Sequence, residues 1–421
     1  MVIFGKNRYV EHAIILVDNQ VRTVTLVEEI LANRQQFFDT PLKEKLGVFS
    51  QQQLALFIEE EERHDLKILT ASTSQSLKSM SSGERKKALL DHLLSQNFDG
   101  LILVNPYDNL DVKAQSELKD RFCALGQSKQ LIQILSRSAD RLPIPANLYR
   151  YSNDQIVKHT DFKDPQDAQE HFNILSNIAI PPNPNPISDT HENLVTFKNV
   201  AVNFEGNHVL NNINWNIKKG DFWELLGPNG SGKTTILNMI TGDSPKSYQQ
   251  DVTIFGHKKG SGESVWDIKE YIGYFTPAMT DRFRGYHSLE HMLISGLHDS
   301  IGLYQKPTGA EKRLAQTWLQ LLHLESKKDF YFQDLSLGEK RLLMTARAMV
   351  KHPPLLILDE PTSGLDDQAA SFFVALVNKF AKESDSAIVF VSHRKEPGLH
   401  PKQCLELVPT KKGSVAKIHY I

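Results

Sequence analysis

Short apolar runs recur along the chain and end in polar residues, unbroken at 101–104 (Leu-Ile-Leu-Val), 355–358 (Leu-Leu-Ile-Leu) and 387–391 (Ala-Ile-Val-Phe-Val) and interrupted by one glutamate at 222–226 (Phe-Trp-Glu-Leu-Leu). A parallel strand covered on both faces requires such a run, because neither face meets water. A further strand is predicted at 272–275. Between 194 and 217 apolar residues alternate with polar ones: Val195, Phe197 and Val200 mark one stretch, and Val209, Leu210, Ile213, Trp215 and Ile217 another. That pattern predicts antiparallel strands with one buried face. Helical periodicity marks 236–240 and 311–324, another helix opens at 335–341, and a short amphipathic one is expected at 167–175. The chain reads as α/β, with a parallel-rich sheet core, an antiparallel β-subdomain and a helical subdomain.

The run at 181–186 (Pro-Pro-Asn-Pro-Asn-Pro) cannot continue a helix or sit in a central strand, since proline lacks the amide donor and fixes φ. It reads as a linker, and it divides the 421 residues into a domain at 1–150, a connector at 151–190 and a domain at 191–421. The composition, 40% apolar and 23% charged, is that of a globular protein, and a net charge of −2 gives no sign of a broad nucleic-acid surface. Cys123 and Cys404 lie far apart without metal-site spacing, which suits structural thiols in a reducing compartment. The apolar run at 12–17 is too short, and too closely flanked by Glu11 and Asp18, for a signal peptide. No stretch approaches 18 apolar residues, so a transport role calls for a separate membrane subunit.

The chemistry concentrates where predicted strands end. After 222–226 comes Gly227-Pro228-Asn229-Gly230-Ser231-Gly232-Lys233-Thr234-Thr235, which satisfies G-x-x-x-x-G-K-[ST] between a strand and a helix. Glycines let successive amides point at phosphate oxygens, and the helix adds its positive N-terminus. Lys233 is placed to reach the β- and γ-phosphates, and the Thr234 hydroxyl to ligate Mg²⁺. The strand at 355–358 runs into Asp359 and Glu360. An acidic pair there is either a loop start or helix cap, or a Mg²⁺ ligand, Asp359, beside a general base, Glu360. The phosphate loop upstream favours the second. His393, just past 387–391, lies where α/β sheets place ligands, within expected reach of a γ-phosphate. Phe204 is equally consistent with stacking on a nucleobase and with packing in a core.

The ordered set of phosphate loop (227–235), Leu-Ser-Leu-Gly-Glu (335–339), Leu-Leu-Ile-Leu-Asp-Glu (355–360), Ser-Gly-Leu-Asp (363–366) and His393 resembles the nucleotide-binding domain of the ABC ATPases. The resemblance makes these the Walker A, signature, Walker B, D-loop and switch elements of a P-loop NTPase, with ATP and Mg²⁺ as ligands. The run at 255–269 (Phe-Gly-His-Lys-Lys-Gly-Ser-Gly-Glu-Ser-Val-Trp-Asp-Ile-Lys) and Leu-Glu-Leu-Val-Pro at 405–409 are similar to tandem ATP-binding proteins of the ModF/PhrA type, a group associated with molybdate transport or photorepair. One departure is that the family places a glutamine after the strand at 272–275, where this chain has Thr276-Pro277.

The later motifs occur twice. Met-Ser-Ser-Gly-Glu at 80–84 matches 335–339, and Asp111 follows Gly83 at the spacing with which Asp366 follows Gly338. In that register Val104 stands for Asp359, Asn105 for Glu360 and Arg137 for His393, and no G-x-x-x-x-G-K-[ST] lies upstream. Valine cannot hold a hard cation and asparagine cannot take a proton from water. The first copy therefore reads as a degenerate, truncated ABC-like domain from which the phosphate-binding lobe has been lost. In the family the signature of one domain closes the ATP held by the other, and Ser81 and Gly83 survive in that role.

The sequence thus leads to an ATP-hydrolysing protein with one composite site in which Glu360, His393 and Lys233 are catalytic. The expected location is the cytoplasm, or the inner face of the plasma membrane where a permease or other client is engaged. Two alternatives stand beside it. A homodimer of the C-terminal domains could replace the intramolecular pairing, and a nucleotide-gated regulatory protein could bind ATP with negligible hydrolysis.

Overall fold

Twelve strands and their crossovers build two six-stranded sheets with the same order and the same strand directions. The computed structural model describes residues 10–32, 42–71, 75–152, 154–159, 175, 178–183, 185, 191–204, 206–262, 264–280, 283 and 286–421. The chain divides into two units, one comprising Met1–Asp164 with Gly364–Asp367 and the other the remainder.

In the first unit the described elements are β1 (Ala13–Leu16), α1 (Thr23–Ala32), β2 (Leu46–Phe49), α2 (Gln51–His64), α3 (Ser82–Ser95), β3 (Gly100–Val104), α4 (Val112–Gly126), β4 (Gln130–Leu135), β5 (Asn147–Ser152) and β6 (Gln155–His159). The sheet order is β2-β3-β4-β1-β5-β6, parallel throughout except for the β5–β6 hairpin. Strand β3 is buried along its whole length, as an unbroken apolar run must be when both faces are covered. Leu101 and Leu103 pack with Phe49, Leu89 and Phe122 on one face, and Ile102 packs with Ile15, Val27 and Ile132 on the other.

The second unit holds β7 (Asn193–Phe204), β8 (Asn207–Lys218), β9 (Phe222–Leu226), α5 (Lys233–Thr241), β10 (Asp251–Ile254), β11 (His257–Lys258), α6 (Val265–Glu270), β12 (Ile272–Phe275), α7 (Pro277–Thr280), α8 (Leu289–Ser295), α9 (Gly309–Leu321), α10 (Leu337–Met349), β13 (Leu355–Asp359), α11 (Asp367–Glu383), β14 (Ala387–Val391), β15 (Gln403–Val408) and β16 (Val415–Tyr420). Its six-stranded order, β12-β13-β14-β9-β15-β16, again ends in one antiparallel hairpin. A separate antiparallel sheet, β11-β10-β7-β8, has no counterpart among the described residues of the first unit. Its inner residues Val195, Ile213 and Ile217 join Leu225, Ile236 and Leu405 in one core. The parallel-rich sheet with antiparallel and helical subdomains is therefore present as the sequence predicts.

Three details go beyond or against the sequence pattern. The helix predicted at 311–324 runs over Gly309–Leu321, opened by a Thr308–Glu311 capping box and closed before His323, whose φ is 56°. Where it is described, the proline-rich linker bonds within the second unit: the Ile180 amide donates to Glu383 Oε2 at 2.8 Å, Asn183 Nδ2 donates to the Lys351 carbonyl at 2.8 Å, and His352 Nε2 lies 2.7 Å from the Pro181 carbonyl oxygen. The third concerns the first unit's phosphate-binding lobe, taken up below. The helix expected at 167–175 lies outside the described residues apart from Leu175.

Candidate nucleotide-binding site

In the second unit the loop after β9 lies at the point where the sheet order reverses, with β14 on one side and β15 on the other. Open α/β sheets bind ligands in the crevice that such a reversal leaves at the strand C-termini. The loop's shape depends on glycine. Gly232, at the start of α5, has φ 99°, and a Cβ there would lie 2.5 Å from Leu210 Cδ2. Ser231 is buried and its hydroxyl has no hydrogen-bond partner, an orphaned donor within the loop.

Lys233 is also buried, and its Nζ donates to the carbonyls of Gly227 at 2.6 Å and Pro228 at 3.1 Å. The same Nζ is 3.4 Å from His393 Nδ1, and the other ring nitrogen of His393 pairs with Glu360 Oε1. Three residues named from sequence for catalysis are thus joined in one chain, Lys233 to His393 to Glu360. Burial, and next the adjacent Glu360 carboxylate, push the Asp359 carboxyl up to about 6; Lys233 and His393 act against that rise. A carboxylate so destabilised gains when a cation joins it. The orphaned hydroxyl, the glycine loop and the hard oxygen donors Thr234 and Asp359 together fit a magnesium–triphosphate.

Phe204 is 41% exposed at the end of β7, so the core alternative fails, and Lys246 Nζ sits 5.0 Å from the ring centroid. Sequence reasoning missed Tyr274, whose hydroxyl donates to Asp359 from the neighbouring strand β12. An aromatic in a buried strand is ordinarily core, and only the register places its hydroxyl beside the acid.

The first unit repeats this layout with other side chains. Thr23 opens α1 seven positions after the last residue of β1, just as Lys233 opens α5 seven positions after the last residue of β9. Leu16 and Leu226 occupy matching register positions, so Val17-Asp18-Asn19-Gln20-Val21-Arg22 stands where the phosphate loop stands. The lobe was expected to be lost, but its strand, loop and helix remain. The glycines and the lysine have gone, and so has the antiparallel sheet among the described residues. A cleft of about 620 Å³ at this end of the first sheet is lined by Thr23, Val24, Val104, Asn105 and neighbours that include no lysine or arginine.

The register also corrects the partner of His393. Val104 pairs with Ile134 as Asp359 pairs with Val391, which puts Ser136, not Arg137, at the histidine's position. Asn105 Nδ2 donates to Ser136 Oγ at 2.9 Å and the Ser136 amide donates to Asn105 Oδ1 at 2.8 Å. The pair Glu360–His393 has become Asn105–Ser136, joined in the same place but unable to move a proton. Arg137, one residue on, donates through Nε to the Leu365 carbonyl within the same unit. Gln51 stands two residues past Phe49, as Pro277 stands past Phe275, so the first unit carries the glutamine that the second lacks.

Both signature segments begin a helix. Ser81 and Ser336 are N-caps, each completing a capping box with the glutamate three residues on, Glu84 or Glu339. The Ser81 backbone amide, and then its hydroxyl, hold the Glu84 carboxyl below the usual range. Ser81 is exposed and Gly83 half-buried in the first helical turn, at the end of α3 whose dipole favours anions.

The chain is similar to several known proteins. The family described as ABC transporter matches residues 210–363. The ABC transporter ATP-binding protein ModF of Escherichia coli (strain K12) is 34% identical over 339 residues, 78% of this chain and 69% of its own length. The uncharacterized ABC transporter ATP-binding protein C323.04 of Schizosaccharomyces pombe is 30% identical over 334 residues, 76% of this chain and 66% of its own. Among solved structures, cbiO1 from Clostridium perfringens, part of the ABC transporter complex cbiONQ, is 24% identical, covering 54% of this chain and 88% of that one with a TM-score of 0.47.

Proposed function

The chain belongs to the ABC transporter family of ATP-binding proteins, and from that premise we propose that it hydrolyses ATP at a single complete site per chain. Domains of this family bind ATP, generally with Mg²⁺. The observation that carries the proposal is the linked set Lys233–His393–Glu360 beside a glycine-built phosphate loop, against Asn105–Ser136 beside a loop without glycine.

In this reading the amides of residues 227–235 and Lys233 hold the phosphates, the lysine exchanging its two carbonyl partners for phosphate oxygens. Thr234 and Asp359 would hold Mg²⁺, which when bound supplies positive charge against the phosphate oxygens. Glu360 accepts the proton of the attacking water, His393 orients that carboxylate and the γ-phosphate, and the exposed Phe204 ring stacks on the base. We assign Ser81 and the Gly83 amide as the donors that close the site, since α3 keeps its capped N-terminus.

A transport role would draw on a separate membrane subunit. No helix among the described residues is long and apolar enough to cross a membrane, and co-purification with a permease tests that part. Hydrolysis is tested by Glu360→Gln: steady-state phosphate release should fall by roughly 10² to 10⁴ while ATP stays bound. Unchanged turnover in that variant overturns the proposal.

A further inference from the structure

Glu360 has φ 50° and Asn105 φ 40°. Asparagine tolerates the left-handed region, whereas a glutamate there is held at a cost of about 1–3 kcal/mol and persists only where its surroundings over-determine it. One restraint is a backbone bond in each unit: the Glu360 amide donates to the Val391 carbonyl at 2.9 Å and the Asn105 amide to the Ile134 carbonyl at 3.0 Å.

A second restraint comes from the signature helices. Arg341 is buried and donates through Nη1 to the carbonyls of Pro361, at 3.1 Å, and of Ser363. Lys86 is buried at the same place in the first unit and donates through Nζ to the carbonyls of Pro106 at 2.9 Å and Asp108 at 2.7 Å. The two cations occupy matching positions, each three residues past the signature glycine, and their acceptors are the first and third residues after Glu360 or Asn105. Burying a cation is expensive unless it is hydrogen-bonded. Two different side chains bearing the same pair of bonds point to a position built to hold this turn.

We propose that Arg341 is a positioning residue for Glu360: by gripping both carbonyls of the Pro361–Ser363 turn it fixes the strained backbone that aims the carboxylate at His393. In this scheme Arg341 acts through the turn. The proposal rests on Glu360 being the base of ATP hydrolysis.

The test is steady-state ATP hydrolysis by the full chain carrying Arg341→Met or Arg341→Lys, each alone and combined with Glu360→Gln. Misplacing the base by a fraction of an ångström should lower kcat by about 10- to 100-fold in Arg341→Met with KM for ATP unchanged. Arg341→Lys should stay within about threefold of the parent, because Lys86 already makes the same bonds with an ammonium. In the Glu360→Gln background Arg341→Met should add nothing, since there is no base left to position. Parental turnover in Arg341→Met, a further drop in the Glu360→Gln background, or a lysine variant more than tenfold impaired each overturn the proposal. Should Arg341→Met fail to fold, Arg341→Gln takes its place, with the same expected loss and the same overturning results. A parent whose turnover does not depend on Glu360 overturns the underlying reading as well, whereas a Glu360-dependent parent with an indifferent Arg341 overturns only this inference.

Discussion

Val104-Asn105 and Asp359-Glu360 end the same strand of two sheets with the same order, and in both pairs the second residue is left-handed and leads into a proline and a turn held by a buried cation. One pair can bind a hard cation and take up a proton; the other cannot. The difference separates two requirements that a single domain would confound. Strand order, the register across the sheet, the six-residue loop before the first crossover helix and the carbonyl-gripping cation belong to the architecture, because they persist where the chemistry has gone. Glycines 227, 230 and 232, Lys233, Asp359 and His393 belong to the chemistry, because they are what the first unit has exchanged.

The largest break expected of that division is in the signature segments. Gly83→Asp puts a carboxylate into the first turn of α3, where the assigned role is to bind phosphate, and should lower kcat by roughly 10²-fold while nucleotide affinity of the isolated loop is unchanged. Gly338→Asp should do far less, because the loop at 17–22 offers it no phosphate to close on. Measured ATP turnover in which Gly338→Asp is the more damaging reverses the assignment of roles. A smaller effect checks the shared architecture. Leu103 and Leu358 occupy matching strand positions and are both fully buried, so each change to alanine should cost about 2–5 kcal/mol by chemical denaturation. Only Leu358→Ala, which adjoins Asp359, should also reduce turnover.

Much of the second unit was legible from the sequence because its signals are local. An apolar run followed by Gly227-Pro228-Asn229-Gly230-Ser231-Gly232-Lys233 needs no tertiary information, and neither does a second run closing on Asp359-Glu360. The first unit's loop was not legible for the converse reason: once glycine and lysine are replaced, only the pairing of β1 with β4 and β5 marks 17–22 as a phosphate-loop position. The one-residue error that set Arg137 against His393 has the same origin, since motif spacing fixes a strand's neighbourhood but only hydrogen-bonded register fixes which residue leaves its end. Tyr274 beside Asp359, and Arg341 and Lys86 beneath their turns, were invisible because their partners are distant in sequence. Phe204 was ambiguous because periodicity cannot distinguish an exposed strand end from a buried one.

On the proposed reading, what most separates the two units is a count: one nucleotide site in a chain whose architecture repeats twice. Native mass spectrometry of the Glu360→Gln chain in Mg²⁺ and ATP reads that count and the oligomeric state together. A single chain carrying one ATP is the predicted species. Two ATP per chain, or a dimer of chains formed only with ATP, would contradict a lone site closed by Ser81 and Gly83 of the same molecule.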